Sequence, residues 1–453
     1  MSSTQPARGT RDFLPDDIRR REYVIGIVRE VYQRYGFEPI ETPAFENIAT
    51  LMGKYGEEGN QLIFKILRRG EHESTGVADL ALRYDLTVPL ARVVAEYQST
   101  LPKFFKRFQI QPVWRADRPA RGRFREFYQC DIDAMGSSSP VIEADLLAAV
   151  SDVLTRLGFT DFRIRLNHRQ ALTAMLDSAG VPAALHGDAL VALDKLDKIG
   201  VAGVEAEFAA RGIDPVAASR GLAFLGTVTP DLTADAVLSR LDQFVAGHDA
   251  GAAAVRQLRD VVELASGTAA AAHIRVDPSL ARGLSYYTGA IMEVAVADLA
   301  SSLGGGGRYD NLIGMFLGRE VPACGFSLGL ERIIVVMTER GMFPPTVSRG
   351  NADVMVTFLD DSCRREALAL AGDLRGAGLR VDIYPDASRK LEKPLKYASS
   401  RQVRVLAIVG PDELARGEVA MRHLATRQQV SVARADVVRT AERQLAETGK
   451  DVE

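Results

Sequence analysis

Five arginines stand within eleven residues, Arg115, Arg118, Arg121, Arg123 and Arg125, in the stretch RADRPARGRFREFYQCDIDAMG (115–136). A guanidinium is a rigid fork of donors that matches two phosphate oxygens at once. Arginines beside an aromatic that can lie against a base suit a nucleotide, although each of them singly suits solvent as well. Four other stretches carry chemistry-bearing types. LARGLSYYTG (280–289) sets Arg282 beside Gly283 and two tyrosines, where backbone can approach a ligand and hydroxyls can orient it. LRYDLTVPLAR (82–92) has Asp85 and Thr87 ahead of Pro89, an ammonium receptor or a helix cap. GFSLGLER (325–332) places the cation Arg332 in the first turn of a predicted helix, against the helix dipole, which suits an anionic ligand or an exposed side chain. GGGGRYD (304–310) matches neither a P-loop nor a dinucleotide fingerprint and reads best as a flexible hairpin turn. The six histidines are dispersed with no HxxH or HExxH, so no metal-ligand cluster is legible.

The elements that must position these residues follow from periodicity. Apolar residues at Val24, Ile27, Val28, Val31 and Tyr35 predict an amphipathic helix over 16–35, stopped by Gly36. PIETPAFE, broken at Pro39 and Pro43, suits an edge strand. Residues 104–133 read as a β-hairpin with arms 104–115 and 123–133. Period two puts Arg123, Arg125, Phe127, Gln129, Asp131 and Asp133 on one face of its second arm. A helix is expected over about 137–157, a strand at FRIRLN, and an alanine-rich helical module over about 170–270. Strands resume at SYYTGAIMEVAV, and CGFSLGLERIIVVMTERG reads as strand then helix. A Pro/Ser/Gly-rich linker spans 341–352. Beyond it, strands and helices alternate to about 445, which predicts a compact α/β domain with a parallel sheet.

Bulk properties bound the answer. A chain of 453 residues implies two or three domains. Its net charge of −3 excludes a wholly electrostatic nucleic-acid binder, so any RNA must be held by local patches. Three cysteines, far apart and without a CxxC pair, fit a reducing compartment. No apolar run approaches the ~20 residues of a membrane helix, so a soluble cytoplasmic protein is expected.

In this order GTRDFLPDD, YGFEPIETPAFE, LRYDLTVPLAR, the arginine hairpin, LARGLSYYTG, GGGGRYD and GFSLGLER resemble the histidyl-tRNA synthetases, which are class II aminoacyl-tRNA synthetases. The resemblance implies an α+β fold: a class II antiparallel sheet core over 1–340, with the 170–270 helical insertion. A C-terminal α/β anticodon-binding domain follows over 353–445. It implies activation of L-histidine by ATP to histidyl-adenylate and pyrophosphate, then transfer to the 3′ end of tRNA(His), with Mg²⁺ accompanying ATP. Carried over residue by residue, Arg115 resembles the arginine at the α-phosphate, which Arg282 approaches from the far side. Phe127 matches the aromatic stacked on adenine, and Arg332 the arginine at the γ-phosphate, with Arg125 also on the ATP side. Asp85 and Thr87 look like binders of the histidine amino group, and Gln129, Asp133, Tyr286 and Tyr287 like the walls around its carboxylate and imidazole. Arg118, Arg121 and Arg123 would face the tRNA acceptor end, and a homodimer would form around Pro43. Two departures stand out: Ala120 lacks the amide common in this loop, and Ser285 replaces a common aspartate. A non-catalytic relative, the histidine-binding regulatory subunit of ATP phosphoribosyltransferase, shares the core but lacks the C-terminal domain. Another class II synthetase, prolyl or threonyl, is the third reading, and LARGLSYYTG argues against it.

Overall fold

The computed structural model describes residues 4–70, 76–229, 231–281, 286–347, 350 and 352–447. They form two compact units that part between Phe343 and Pro344. In the first unit the strands are β1 (Glu38–Pro39), β2 (Phe45–Asn47), β3 (Lys65–Leu67), β4 (Ala78–Leu82), β5 (Phe105–Trp114) and β6 (Glu126–Met135). They continue as β7 (Arg163–His168), β8 (Ile274–Val276), β9 (Ala290–Ala295), β10 (Gly304–Arg308) and β11 (Ala323–Gly329). Eight of them make one sheet in the order β1-β5-β6-β11-β10-β9-β7-β8, and β2-β4-β3 make a small second one. The large sheet is antiparallel from β5 to β7 and parallel only at its two margins. Pro39 lies on the marginal strand β1, where its missing N–H interrupts no central ladder.

The glycine cluster is not a turn. Gly304 to Gly307 form the body of β10, in the interior of the large sheet. A Cβ on Gly306 would lie 2.1 Å from the Gly325 carbonyl oxygen, and one on Gly307 2.5 Å from that of Ala290. Glycine weakens strands generally, so composition points to a turn, whereas in β10 the missing side chains let neighbouring backbone close in.

The helix Pro15–Arg34 has proline at its first position, Asp16 and Asp17 in its first turn and Arg34 in its last, all favourable to the helix dipole. It buries Val24, Val28, Val31 and Tyr32, and Gly36 at φ 75° takes the chain out of the helix. It packs against the helices Val141–Arg156 and Leu330–Glu339. The segment after β7 is helical from Arg169–Ala179 through Asp249–Ala265, in keeping with its alanine-rich pattern.

His168 caps the first of those insertion helices. Its Nδ1 accepts from the Gln170 N–H at 3.2 Å, which leaves Nε2–H to donate to Gln257 Oε1 at 2.8 Å. That tautomer is neutral, and burial pushes the imidazole down to about 4. The unfolded chain therefore binds the proton more tightly, so stability is complete above the ordinary histidine range and falls as pH drops from 6.5 towards 4. We expect His168 to account for about 2 kcal/mol of lost stability between pH 7 and pH 5. Urea unfolding at the two pH values, compared with His168→Asn, measures it.

The second unit holds β12 (Val354–Phe358), β13 (Val381–Ile383), β14 (Val405–Val409), β15 (Glu418–His423) and β16 (Gln429–Ala433) in the order β13-β12-β14-β15-β16. β13, β12 and β14 are parallel, as expected from the alternating helices Arg364–Gly376 and Glu392–Ser400. The sheet is mixed, however, because β15 and β16 add on antiparallel. β16 is mostly exposed, so it carries little of the apolar periodicity that would reveal it.

Candidate functional site

The sheet face of β6, β10 and β11 opens onto a cavity of about 320 Å³. Arg115, Arg123 and Arg332 line it together with Phe127, Gln129, Asp85, Thr87, Tyr286 and Tyr287. Its wall also includes the backbone of Gly304, Gly305 and Gly306, which admits a flat ligand because no side chains rise from it.

Arg115 follows β5. Its Nε donates to the Tyr84 carbonyl at 3.0 Å, and its guanidinium lies 4.3 Å from the Tyr84 ring and 5.1 Å from the Phe127 ring. The cation is therefore fixed by a backbone carbonyl and two aromatic faces. One residue beyond Tyr84, Asp85 is buried with both oxygens engaged. Oδ1 accepts from Tyr55 O–H at 3.0 Å and Val88 N–H at 3.1 Å, and Oδ2 from Tyr286 O–H at 3.4 Å. Burial raises its carboxyl above the ordinary range, against those three hydrogen bonds and Arg115. Thr87 begins the helix Thr87–Glu96, whose first turn Asp85 holds through the Val88 N–H. Arg332, in the first turn of Leu330–Glu339, is steadied by Nη1 donating to the Ser302 carbonyl at 2.7 Å.

Gln129 Nε2 donates to Ser327 Oγ at 2.8 Å, while its buried Oε1 has no hydrogen-bond partner. Asp133, expected on the histidine wall, does not line the cavity. One oxygen takes the Tyr309 hydroxyl and the other pairs with Arg107 Nη2 at 2.7 Å, so the carboxylate is buried beneath the cavity wall.

The arginines of the hairpin separate. Arg125 faces away from the cavity: its Nε donates to the Asp117 carbonyl at 3.1 Å and its Nη1 to that of Arg8 at 3.4 Å. Its backbone N–H is held by Gly9 O at 2.8 Å. β6 begins only at Glu126, so extending the alternation back to Arg125 misplaced that side chain. Arg121 pairs with Glu339 and donates to the Asp298 carbonyl. Arg118 is exposed, and Gly122 turns the loop at φ 67°. Arg282 and Ser285 lie outside the described residues.

Glu293, Glu331 and Ser327, which no motif singles out, also line the cavity. Each is a polar residue interrupting an apolar run, Glu293 in IMEVAV and Ser327 and Glu331 in GFSLGLER, and that interruption is the available signal. Glu331 accepts from the Tyr128 N–H at 2.9 Å and sits near Arg21 and Arg11, at 3.7 and 3.9 Å. Those two arginines lie over Phe13, and Arg11 also over Phe124.

A family model described as histidyl-tRNA synthetase matches residues 9–333, and one described as anticodon binding domain matches 353–444. The histidine–tRNA ligase of Gloeobacter violaceus is 40% identical over 448 residues, covering 94% of this chain and 95% of that one. That of Flavobacterium johnsoniae is 39% identical, covering 94% and 96%. The crystal structure of histidyl-tRNA synthetase from Nostoc sp. PCC 7120 superposes with a TM-score of 0.79 at 31% identity, covering 98% of this chain and 100% of that one. An ATP phosphoribosyltransferase regulatory subunit/histidyl-tRNA synthetase from Bacillus halodurans shares the fold, with a TM-score of 0.72 at 21% identity. The matches run through both units, and the cavity draws its lining from the same motifs that carry the likeness. The chain belongs to the histidyl-tRNA synthetase family of class II aminoacyl-tRNA synthetases.

Proposed function

We propose that this chain is a histidine–tRNA ligase. The observation that carries the reading is the bond from Arg115 Nε to the Tyr84 carbonyl, one residue before Asp85. It locks a phosphate-binding cation and an ammonium-binding carboxylate onto one rigid turn. A histidine whose ammonium sits at Asp85 and Thr87 then presents its carboxylate towards a phosphate held by Arg115.

The carboxylate oxygen attacks the α-phosphorus of ATP, the bond to the bridging oxygen breaks, and pyrophosphate leaves. No covalent enzyme intermediate is needed, only alignment and neutralisation of developing charge. Arg115 serves the α-phosphate, Arg332 the γ-phosphate and Phe127 the adenine face. Arg123, which also lines the cavity, is available to the phosphates. Arg282 is assigned to the α-phosphate by its place in LARGLSYYTG alone. Gln129, Tyr286 and Tyr287 surround the amino acid, with Asp133 acting through Tyr309 and Arg107. A hydroxyl of the tRNA 3′ end then attacks the carbonyl carbon of the adenylate, and AMP departs.

Mg²⁺ enters with the ATP phosphates. Such an ion takes one or two carboxylates and otherwise phosphate and water oxygens. Glu293 in the cavity lining fits that need, and no group of three ligating side chains occurs among the described residues. Bound there, the ion would neutralise charge on the departing pyrophosphate.

Residues 1–340 serve catalysis and 353–445 the anticodon, with 341–352 as the linker between them. Arg118 at the exposed hairpin tip remains available to the tRNA acceptor end, as does Arg123. A cytoplasmic location is in keeping with a reaction that consumes ATP and tRNA, and no described helix is long and apolar enough to cross a membrane.

A homodimer is supported by apolar exposure on the small sheet. Pro43 is exposed, as are Phe45 and Leu67 on β2 and β3, both more than half accessible. Phe45→Glu should convert a two-chain species into a single chain by sedimentation equilibrium. Unchanged mass would place the interface elsewhere.

The charging reaction tests the function. Incubated with ATP, labelled histidine and total tRNA, the protein should esterify histidine to tRNA(His). Failure to charge any tRNA would favour the regulatory reading, which the presence of Arg115, Arg332 and the anticodon-binding match opposes.

A further inference from the structure

The stretch GTRDFLPDD contributes no residue to the cavity lining, yet its first five residues reach both elements that carry phosphate-side arginines. Thr10 closes a turn ahead of it, its N–H and its hydroxyl both donating to the Ala7 carbonyl, at 2.9 and 2.7 Å. Gly9, at φ 85°, lies against the arginine hairpin, where a Cβ would stand 2.8 Å from Arg125 Cδ. The Gly9 carbonyl accepts from the Arg125 N–H at 2.8 Å, and the Arg125 carbonyl accepts from the Arg115 N–H at 2.9 Å. Two hydrogen bonds in series therefore tie this segment to the backbone of Arg115.

Arg11 reaches the other element. Its guanidinium lies 3.9 Å from the centre of the Phe124 ring, and Phe124 lines the cavity. It also stands 3.9 Å from Glu331, which precedes Arg332 in the first turn of Leu330–Glu339. Glu331 is 2% exposed, its Oε2 takes the Tyr128 N–H, and its Oε1 has no hydrogen-bond partner among the described residues. A carboxylate buried in that way needs cations close by. Arg11 supplies one and Arg21, 3.7 Å away, the other, and both cations cover the ring of Phe13.

We propose that Gly9–Phe13 is a strap that sets the spacing between Arg115 and Arg332, with Arg11 as its positioning residue, so that the cavity is matched to the triphosphate of ATP. The proposal rests on the histidine–tRNA ligase reading and deepens its ATP side. The strap holds the backbone of one arginine and the helical turn of the other, and phosphate-binding groups act best when their geometry is fixed beforehand. Asp85, by contrast, is held by bonds of its own from Tyr55, Val88 and Tyr286. Loosening the strap therefore acts on ATP and spares histidine.

The test is ATP–pyrophosphate exchange by the full-length protein, with ATP and histidine varied in turn. Arg11→Met keeps the apolar stem and loses the cation. It should raise KM for ATP about 10-fold, the scale of a desolvated cation–π contact, with KM for histidine within about twofold and melting close to the original. Arg11→Lys keeps a cation over the rings and should return KM for ATP to within about threefold of the original. Gly9→Ala, whose Cβ would meet Arg125, should show the same bias towards ATP. Combined with Arg11→Met it should be little worse than the stronger single change, because both release one strap. An unchanged KM for ATP in Arg11→Met overturns the proposal. So does an equal rise in both KM values, Arg11→Lys no better than Arg11→Met, or single effects that multiply. If the unsubstituted protein exchanges with no amino acid, the functional reading falls and the strap's role with it, whereas the other failures strike the strap alone.

Discussion

Arg115→Ala should lower kcat/KM for histidine-dependent ATP–pyrophosphate exchange by about 10³-fold, the scale on which a cation at a transferring phosphoryl group acts. The side chain is pinned before substrate arrives, by Nε on the Tyr84 carbonyl and by the rings of Tyr84 and Phe127. Its remaining donors are thus oriented without reorganisation during the reaction, which is where electrostatic stabilisation is most effective. Arg115→Lys keeps the charge but loses the fork and the Nε anchor, so it should recover only part of the rate. Since Arg115 also packs on aromatic rings, thermal unfolding must accompany the kinetics. An alanine variant that melts normally and exchanges within tenfold of the original would remove Arg115 from the transition state.

The second large effect belongs to Asp85. Asp85→Asn is nearly isosteric and can still accept from the Val88 N–H, so the first turn of the helix Thr87–Glu96 keeps that bond. What it loses is the charge that receives the substrate ammonium, in a site 2% exposed. Removing one partner of a buried charged pair is severe, and KM for histidine should rise about 10²–10³-fold. A pH consequence accompanies it. Because burial raises the Asp85 carboxyl, the unsubstituted protein should lose histidine affinity on acidification sooner than an ordinary carboxylate would dictate. The Asn variant should lack that component. A KM profile with the same acid limb in both proteins would assign the limb to another group.

Much of this site was legible in sequence because its residues sit on regular elements. The hairpin of β5 and β6 put Phe127 and Gln129 on one face by alternation, and GFSLGLER brought Arg332 to a helix start. The illegible parts have specific physical causes. Arg125 looked like part of the same face, yet its backbone is captured by Gly9 from a distant segment, a tertiary contact that alternation cannot encode. Asp133 obeyed the alternation but lies too deep, where Tyr309 and Arg107 claim its oxygens. The glycines of β10 read as a turn by composition, whereas close backbone packing on both sides requires them in a strand. In the second unit the antiparallel addition escaped notice too, since its outer strand β16 is mostly exposed and has little apolar signal. The contact between Gln129 and Ser327 depends on cross-strand register between β6 and β11, which single-strand patterning cannot supply.

The central claim is that this cavity activates histidine. ATP–pyrophosphate exchange measured with each of the twenty amino acids tests it most directly. Exchange with histidine alone is the predicted result. Exchange with no amino acid would contradict the account in favour of a histidine-binding regulatory protein, and exchange with proline or threonine in its place would assign the site to a different synthetase.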